Sequence, residues 1–158
     1  MIMSKSRLLG HYTEVRQSPL HGMGLFAKID IPAGTVWWKA RRSQVILLNQ
    51  RQYLTLMSSQ LNAVMDNLLT IASIYGYYSI RLDSIIICLD DARYVNHSDT
   101  PNSGAPLNGD PLCSMTLREI RAGEEITENY SCYDYCAWSS ITCTESFLAP
   151  QTMQRMEA

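Results

Sequence analysis

The sequence predicts a mostly β domain with a single helical insertion near its middle. Short runs rich in β-branched and aromatic residues recur between turn-forming residues, which is typical of small sheets. Residues 49–74 contain no Gly or Pro and place apolar residues three or four positions apart, which is typical of a helix. The length of 158 residues fits one domain, and a hydrophobic fraction of 46% is ordinary for a globular chain.

The first third of the chain alternates short strands with turns. Residues 18–24 are dense in turn formers, and the Ile-Pro-Ala-Gly run at 31–34 predicts a second turn. Strands are predicted around these turns at residues 12–16, 25–29, 35–38 and 44–48.

The helical segment covers residues 49–75. Asn49 is a suitable cap for its first turn, the serines at 58–59 are expected to divide it into two helices, and Gly76 ends it. Further strands are predicted at 77–81, 85–89, 113–117 and 125–130, with polar turns over 96–111. Residues 144–158 are weakly patterned and predict a mobile tail.

Several compartments and partners are disfavoured by composition. The longest apolar run, at 85–89, is far shorter than the roughly 20 residues of a membrane span, and residues 1–10 lack the apolar core of a signal peptide. A net charge of −2 with few lysines does not suit direct nucleic-acid binding. The sequence therefore predicts a soluble, intracellular protein without a membrane partner, cytoplasmic in a bacterium or nuclear in a eukaryote.

The five cysteines have two interpretations. They are expected to be reduced in an unexported protein, where they serve as small packing residues. Alternatively, Cys132, Cys136 and Cys143 could hold a metal, but their spacings of four and seven match no standard zinc pattern. We therefore predict no metal site.

Charge is distributed unevenly along the chain. Residues 1–82 have a balance of +6, residues 83–134 a balance of −7, and residues 135–158 add −1. Either two complementary faces meet in the fold, or an acidic surface attracts a cationic substrate. The sequence leaves these two interpretations open.

Three segments contain residues suited to chemistry. The first, His-Gly-Met-Gly-Leu-Phe-Ala at 21–27, can form a tight turn with accessible backbone amides, although a plain turn before a strand has the same pattern. The second, Arg-Tyr-Val-Asn-His-Ser-Asp-Thr-Pro-Asn at 93–102, is rich in hydrogen-bonding groups and equally suits a self-capped turn. The third, at 120–130, ends on Tyr130 and is followed by Tyr133 and Tyr135, which are either packing residues or an aromatic channel for a cation.

In this order the three segments resemble the motifs of the SET-domain family of protein-lysine methyltransferases. HGMGLFA followed by a D-I-P-A-G turn resembles the family's opening motif, and RYVNHSDTPN resembles its R-F-I-N-H-S-C-x-P-N signature. IRAGEEITENY is similar to its I-x-x-G-E-E-L-T-x-D-Y signature. The resemblance covers roughly residues 11–135, taken as the SET domain, and leaves 136–158 as a carboxy-terminal cap and tail.

The resemblance implies a β-clip fold of small curled sheets, with a pseudoknot between the second and third motifs, and S-adenosyl-L-methionine as cofactor. By position, the cofactor would be bound by residues of the first two motifs: Gly22, Met23, Gly24, Arg93, Tyr94, Asn96 and His97. Tyr130 matches the catalytic tyrosine, and the substrate lysine channel would include Tyr133 with Tyr77 or Tyr78. The implied partner is a protein that carries a lysine, either a histone tail or another basic protein.

The chain departs from the family pattern at several positions. Asp99 stands where the signature has Cys, Asn129 replaces the Asp before the tyrosine, and the CxCx4C zinc module of the carboxy-terminal region is missing. Without zinc, Trp138, Ile141 and Phe147 would have to close the lysine channel by packing. The rival interpretation is an inactive β-clip module that binds a basic partner and transfers nothing.

Overall fold

A computed structural model describes residues 7–58 and 63–139, and the side chains of residue 7 and residues 63–66 lie outside that description. The helices are α1 (Arg7–Tyr12), α2 (Gln50–Ser58) and α3 (Ala63–Tyr75). The first six strands are β1 (Thr13–Gln17), β2 (Met23–Ala27), β3 (Val36–Lys39), β4 (Val45–Leu48), β5 (Gly76–Ser79) and β6 (Ser84–Cys88). The last four are β7 (Asn96–His97), β8 (Ser103–Gly104), β9 (Cys113–Thr116) and β10 (Thr127–Glu128). Single turns of 3-10 helix cover Arg42–Gln44, Asp91–Tyr94 and Tyr130–Cys132.

The strands form four small sheets rather than one large one. Two antiparallel sheets have the strand orders β4–β6–β5 and β3–β9–β8, and β1 pairs with β2 as a hairpin. The fourth sheet is the parallel pair β7–β10, in which Asn96 lies opposite Thr127 and His97 opposite Glu128. This pair brings the second and third motifs side by side, as the family resemblance implied.

Two apolar clusters hold the sheets together. The larger one joins β1–β3, β6 and the loop after β9 around fully buried Leu25, Trp37 and Ile120. The smaller one packs the two long helices on the β4–β6–β5 sheet around Tyr53, Ala72 and Ile85. Strand β6 contributes to both clusters because its residues are buried on both faces, consistent with its uninterrupted Ile-Ile-Ile run.

The insertion is helical and consists of two helices, as the spacing predicted. Its start is fixed by a capping box: the Gln52 N–H donates to Asn49 Oδ1 at 2.9 Å, and the Asn49 N–H donates to Gln52 Oε1 at 3.0 Å. The predicted break at residues 58–59 falls at the end of α2, but residues 59–62 lie outside the described part of the chain. Within that described part, none of the helices is long and apolar enough to span a membrane.

One predicted strand is much shorter than expected. Residues 125–130 were predicted as a single strand, whereas only Thr127–Glu128 is regular. Ile126 instead donates its N–H to the Leu25 carbonyl at 2.7 Å, so the chain leaves β2 and joins β7 within a few residues. The strand then ends because Asn129 accepts a hydrogen bond from the Ser131 N–H at 2.9 Å and caps a 3-10 turn.

Candidate active site

Three tyrosines from two distant parts of the sequence stack on one another. Tyr77 lies on β5, whereas Tyr130 and Tyr133 lie in and just after the turn that follows β10. The ring centroids of Tyr77 and Tyr133 are 5.0 Å apart with an interplanar angle of 25°, and those of Tyr133 and Tyr130 are 5.6 Å apart at 27°. Aromatic pairs are attractive at such separations, so the three rings form one wall.

A cavity of about 390 Å³ lies against this wall. Its lining is mainly aromatic and apolar and includes the indoles of Trp37 and Trp38 as well as Val95. The exposed side chains of Ile74 and Ile80 also border it. A cavity with these walls suits an alkyl chain that ends in a small polar or cationic group.

Glu128 places a carboxylate in the wall of the cavity, although its side chain is buried. The Tyr133 hydroxyl donates to Glu128 Oε2 at 2.7 Å, and the Ser103 hydroxyl donates to Oε1 at 3.0 Å. Burial, followed by the nearby Glu128 charge, raises the pKa of Tyr133 well above its ordinary value, so this phenol remains a hydrogen-bond donor.

Tyr130 is held between the cavity and the second motif. Its hydroxyl donates to the Val95 carbonyl, and its backbone N–H donates to Nδ1 of His97 at 3.1 Å. The two side-chain rings lie 5.3 Å apart. The register of β7 and β10 sets this geometry, because the chain reaches Tyr130 two residues after Glu128 pairs with His97.

The first motif contacts the second through one side-chain amide. Nδ2 of Asn96 lies 3.2 Å from the carbonyl oxygens of both His21 and Met23, and 2.7 Å from Glu125 Oε1. Gly22 has a φ of +47° and open space around it, a backbone conformation that favours glycine. The exposed loop at 21–23 therefore sits directly above Asn96.

The structure divides the predicted cofactor-binding residues into two groups. The first group is the loop cluster just described, which does not line the cavity: Gly22, Met23, Gly24, Asn96 and His97. The second is Arg93, which lines the cavity together with the tyrosines. Tyr94 fixes Arg93 by accepting a hydrogen bond from its Nη2 at 2.9 Å and by lying 4.8 Å from the guanidinium carbon.

Arg93 carries a buried Nε atom that has no hydrogen-bond partner within the described part of the chain. A buried donor of this kind is costly unless a ligand or another group accepts its hydrogen bond. The carboxylate of an amino-acid-like ligand fits that requirement. The residues present therefore fit a cofactor that has a carboxylate, such as the one the motifs imply.

Tyr78 borders the cavity from the opposite edge. Its hydroxyl donates to Asp83 Oδ1 at 2.7 Å, which raises the pKa of Tyr78 and directs its polar end towards Asp83. Its ring packs edge-on against Trp138 at 5.6 Å, and Trp138 also lies 5.6 Å from Tyr53 on α2. Trp138 packs against Tyr78 and Tyr53 and is not among the residues that line the cavity, so its closing of a lysine channel stays a prediction, and Ile141 and Phe147 lie outside the described residues.

The cysteines are scattered around this region. Cys88, Cys113 and Cys132 line the cavity, and burial raises the pKa of both Cys88 and Cys113. Cys136 is buried, and Cys143 lies outside the described residues. Over residues 7–58 and 63–139, no three His, Cys, Asp or Glu side chains gather in a way that could hold a metal ion.

Glu128 is a residue of the cavity wall that none of the three motifs points to. It lies between Ile126 and Tyr130 in an alternating pattern, and the alternation could have indicated that it shares their inward face. By composition it contributes only to the −7 balance of residues 83–134, which suits either complementary faces that meet in the fold or an acidic surface.

The fold and this arrangement of motifs define a SET domain. The SET domain family model matches residues 22–131, and the chain belongs to that family. The resemblance and the mostly β SET fold predicted from the three motifs are thereby confirmed.

Individual relatives agree with this assignment. Over 70 residues the chain is 34% identical to the histone-lysine N-methyltransferase set9 of Schizosaccharomyces pombe, a match that covers 42% of this chain and 16% of that protein. A Plasmodium falciparum protein described as a candidate histone methyltransferase has a similar structure, with a TM-score of 0.50 at 16% identity, over 81% of this chain and 97% of that one.

A Polycomb repressive complex 2 from Chaetomium thermophilum, solved in an autoinhibited conformation bound to S-adenosylmethionine, has a TM-score of 0.52 at 20% identity. That match covers 76% of this chain and 15% of the other. At these identities the two structural matches bear on the fold alone.

Proposed function

We propose that this chain transfers a methyl group from S-adenosyl-L-methionine to the side-chain amine of a lysine in a protein substrate. The observation that carries the proposal is the cavity walled by Tyr77, Tyr133 and Tyr130, beside the pairing of the second and third motifs. Membership of the SET family and similarity to a histone-lysine methyltransferase support it.

The cofactor supplies a methyl group bonded to a positively charged sulfur. The chain offers two sets of groups to bind such a molecule. One is the loop at 21–24 with Asn96 and His97, and the other is the Arg93 guanidinium, whose Nε has no hydrogen-bond partner among residues 7–58 and 63–139. Methyl transfer to an amine is an in-line displacement, so the main task of these residues is to hold the reacting atoms in line.

Tyr130 is the residue best placed to orient the amine. A phenol oxygen carries one proton and two acceptor lone pairs, and the proton of Tyr130 is donated to the Val95 carbonyl. The oxygen is therefore oriented to accept a hydrogen bond from an amine N–H inside the cavity. A fixed dipole at the reacting centre stabilises the transition state without reorganisation.

The substrate amine must be neutral to attack, yet free lysine has a pKa of about 10.4. Enclosure by the tyrosines and by Trp37 and Trp38 removes water, which disfavours the ammonium form and lowers the pKa of the bound amine. Strong general-base catalysis is then unnecessary. The substrate is proposed to be a basic protein, either a histone or another lysine-rich protein.

Replacing Tyr130 with Phe tests this proposal. The Tyr130→Phe variant should lose at least about tenfold in kcat, because the ring remains but the hydroxyl that orients the amine is removed. Cofactor affinity should be retained. The rate is measured with isotopically labelled cofactor and core histones or lysate proteins, and the affinity by calorimetric titration.

The matched control is Tyr135→Phe, since Tyr135 is exposed and does not line the cavity. A full rate in the Tyr130 variant would exclude this hydroxyl from the mechanism. A wild-type chain that binds a basic protein but neither binds the cofactor nor transfers methyl groups would instead be the inactive binding module.

A further inference from the structure

We infer that Glu128 is the residue that selects a cationic substrate amine inside the cavity. The inference rests on the proposed function, since it assigns the chemistry by which the same cavity recognises its substrate. It gives a specific role to one of the charged residues of a cavity that is otherwise mainly aromatic and apolar; the other charged residues in its lining are Arg81, Arg93 and Asp134.

The position of the carboxylate is fixed from both sides. Trp37 Nε1 donates to Ser103 Oγ at 2.8 Å, and the Ser103 hydroxyl in turn donates to Glu128 Oε1 at 3.0 Å. Trp37 and Ser103 are both fully buried, so this chain of hydrogen bonds is anchored in the core. On the other side the Tyr133 hydroxyl donates to Oε2 at 2.7 Å. A group held in this way presents its charge without reorganising when a ligand arrives.

The buried surroundings of Glu128 strengthen the electrostatic interactions of its carboxylate. Glu128 is 6% exposed, and electrostatic interactions are stronger in such a site than at the surface because little water screens them. Each carboxylate oxygen can accept more than the single hydrogen bond that it receives from Ser103 or Tyr133. An ammonium group that enters along the tyrosine wall would thus meet both a carboxylate and aromatic faces.

The same geometry discriminates against other ligands. A carboxylate-bearing side chain placed beside Glu128 would be repelled by it, and a neutral alkyl chain would gain no charge attraction there, while the cationic groups Arg81 and Arg93 also line the cavity. The long flexible stem and cationic head of lysine match aromatic and apolar walls that carry a carboxylate.

The charge acts on binding rather than on the methyl-transfer step. A carboxylate favours the ammonium form, which opposes the loss of the proton that must precede attack. We therefore expect the Glu128→Gln variant to have a higher KM for the protein substrate and an undiminished kcat, because Gln keeps the shape and the hydrogen-bond acceptor but not the charge.

A small-molecule titration tests the charge selection directly. We would measure the binding of n-butylammonium and of 1-butanol, which has a similar shape but no charge, by the shifts of cavity resonances in NMR spectra. The wild-type chain should bind the cation at least about tenfold more tightly than the alcohol. The Glu128→Gln variant should lose most of this preference.

The control is Glu119→Gln, the same chemical change at an exposed residue that does not line the cavity. It lowers the net negative charge equally and should leave the preference unchanged. If Glu128→Gln does not fold, Glu128→Met replaces the carboxylate with an apolar side chain of similar length, and the preference for the cation should be lost. A wild-type chain without the preference, or a cavity variant that retains it, would overturn the inference.

This experiment separates the inference from the proposed function. Selective cation binding that depends on Glu128, in a chain that transfers no methyl group, would support the inference and contradict methyl transfer. Methyl transfer with the same KM in wild-type and Glu128→Gln chains would support the proposed function and contradict the role of Glu128.

Discussion

At the scale of single residues, Gly24 shows how tightly the loop cluster is packed. A Cβ atom at this position would lie 2.3 Å from Glu125 Oε1 and 2.9 Å from Ser18 Cβ. Glu125 in turn accepts hydrogen bonds from Ser18 Oγ at 2.9 Å and from Asn96 Nδ2 at 2.7 Å. The absence of a side chain at Gly24 therefore allows Glu125 to join the first motif to the second.

Replacing Gly24 with Ala should disturb both stability and the loop above Asn96. The added methyl group must displace the Glu125 carboxylate or the Ser18 side chain, and overpacking of this kind costs on the order of 1–3 kcal/mol. We expect a lower Tm by thermal denaturation and weaker cofactor binding by calorimetry.

Gly104→Ala is the matched control, because a Cβ there would lie 3.7 Å from Leu117, an ordinary contact distance. Equal loss of stability in both variants would indicate that the packing of Gly24 against Glu125 has no special effect.

The role of an individual residue could be predicted from sequence only where the residue occupies a fixed position of a motif. Tyr130, Asn96 and His97 stand in long motifs, and the structure brings their motifs together. Glu128 occupies a position that the family signature leaves open, so its place in the cavity depended on contacts with Ser103 and Tyr133 that the sequence alone does not contain.

At the scale of secondary structure, the boundaries of the insertion follow from local chemistry. The capping box of Asn49 and Gln52 satisfies backbone donors that the first turn of α2 leaves without partners. The end of the insertion is equally sharp: a Cβ on Gly76 would lie 2.3 Å from the Ala72 carbonyl oxygen, so the chain turns into β5 where only glycine fits.

Removing the cap should destabilise the domain slightly without altering its site. Asn49→Ala should cost about 1 kcal/mol, which corresponds to a fall in Tm of roughly 2–4 °C for a domain of this size. The comparison variant is Gln50→Ala, one residue further along the exposed start of the same helix. A fall of the same size in both variants would show that the lost hydrogen bond is not the cause.

The elements that sequence predicted well are those with strong periodicity. The insertion helices and the Ile-rich strand β6 have long, regular patterns, and the structure has them where expected. The two-residue strands β7 and β10 were harder to predict, because their pairing joins segments far apart in sequence and neither has a pattern long enough to indicate a strand.

At the scale of the whole molecule, the described ion pairs do not join the basic part of the sequence, residues 1–82, to the acidic part, residues 83–134. The described ion pairs Arg16–Glu14, His97–Asp99, Arg118–Glu124 and Arg121–Glu119 each join residues of the same part of the chain. The contacts between the parts are instead apolar packing and hydrogen bonds, such as the backbone bond from the Ile31 N–H to the Ile120 carbonyl at 2.7 Å and the side-chain bond from Trp37 Nε1 to Ser103 Oγ at 2.8 Å.

The stability of the domain should therefore depend little on salt. The described ion pairs are mostly exposed, and exposed pairs contribute about 0–1 kcal/mol each. Raising the ionic strength to about 0.5 M should shift Tm by less than about 3 °C in scanning calorimetry, while weakening association with a basic protein. A Tm that falls by about 10 °C or more would show that attraction between the two parts is a major stabilising force.

The parallel pairing of β7 with β10 also determines when the site can exist during synthesis. Asn96 and His97 leave the ribosome well before Thr127 and Glu128, and the cavity wall further requires Tyr130 and Tyr133. A nascent chain can therefore form the β1–β2 hairpin and the helical insertion early. The stack of tyrosines forms only in a late folding step that joins segments far apart in sequence. Until that step β7 lacks β10, the strand with which it pairs in the folded domain.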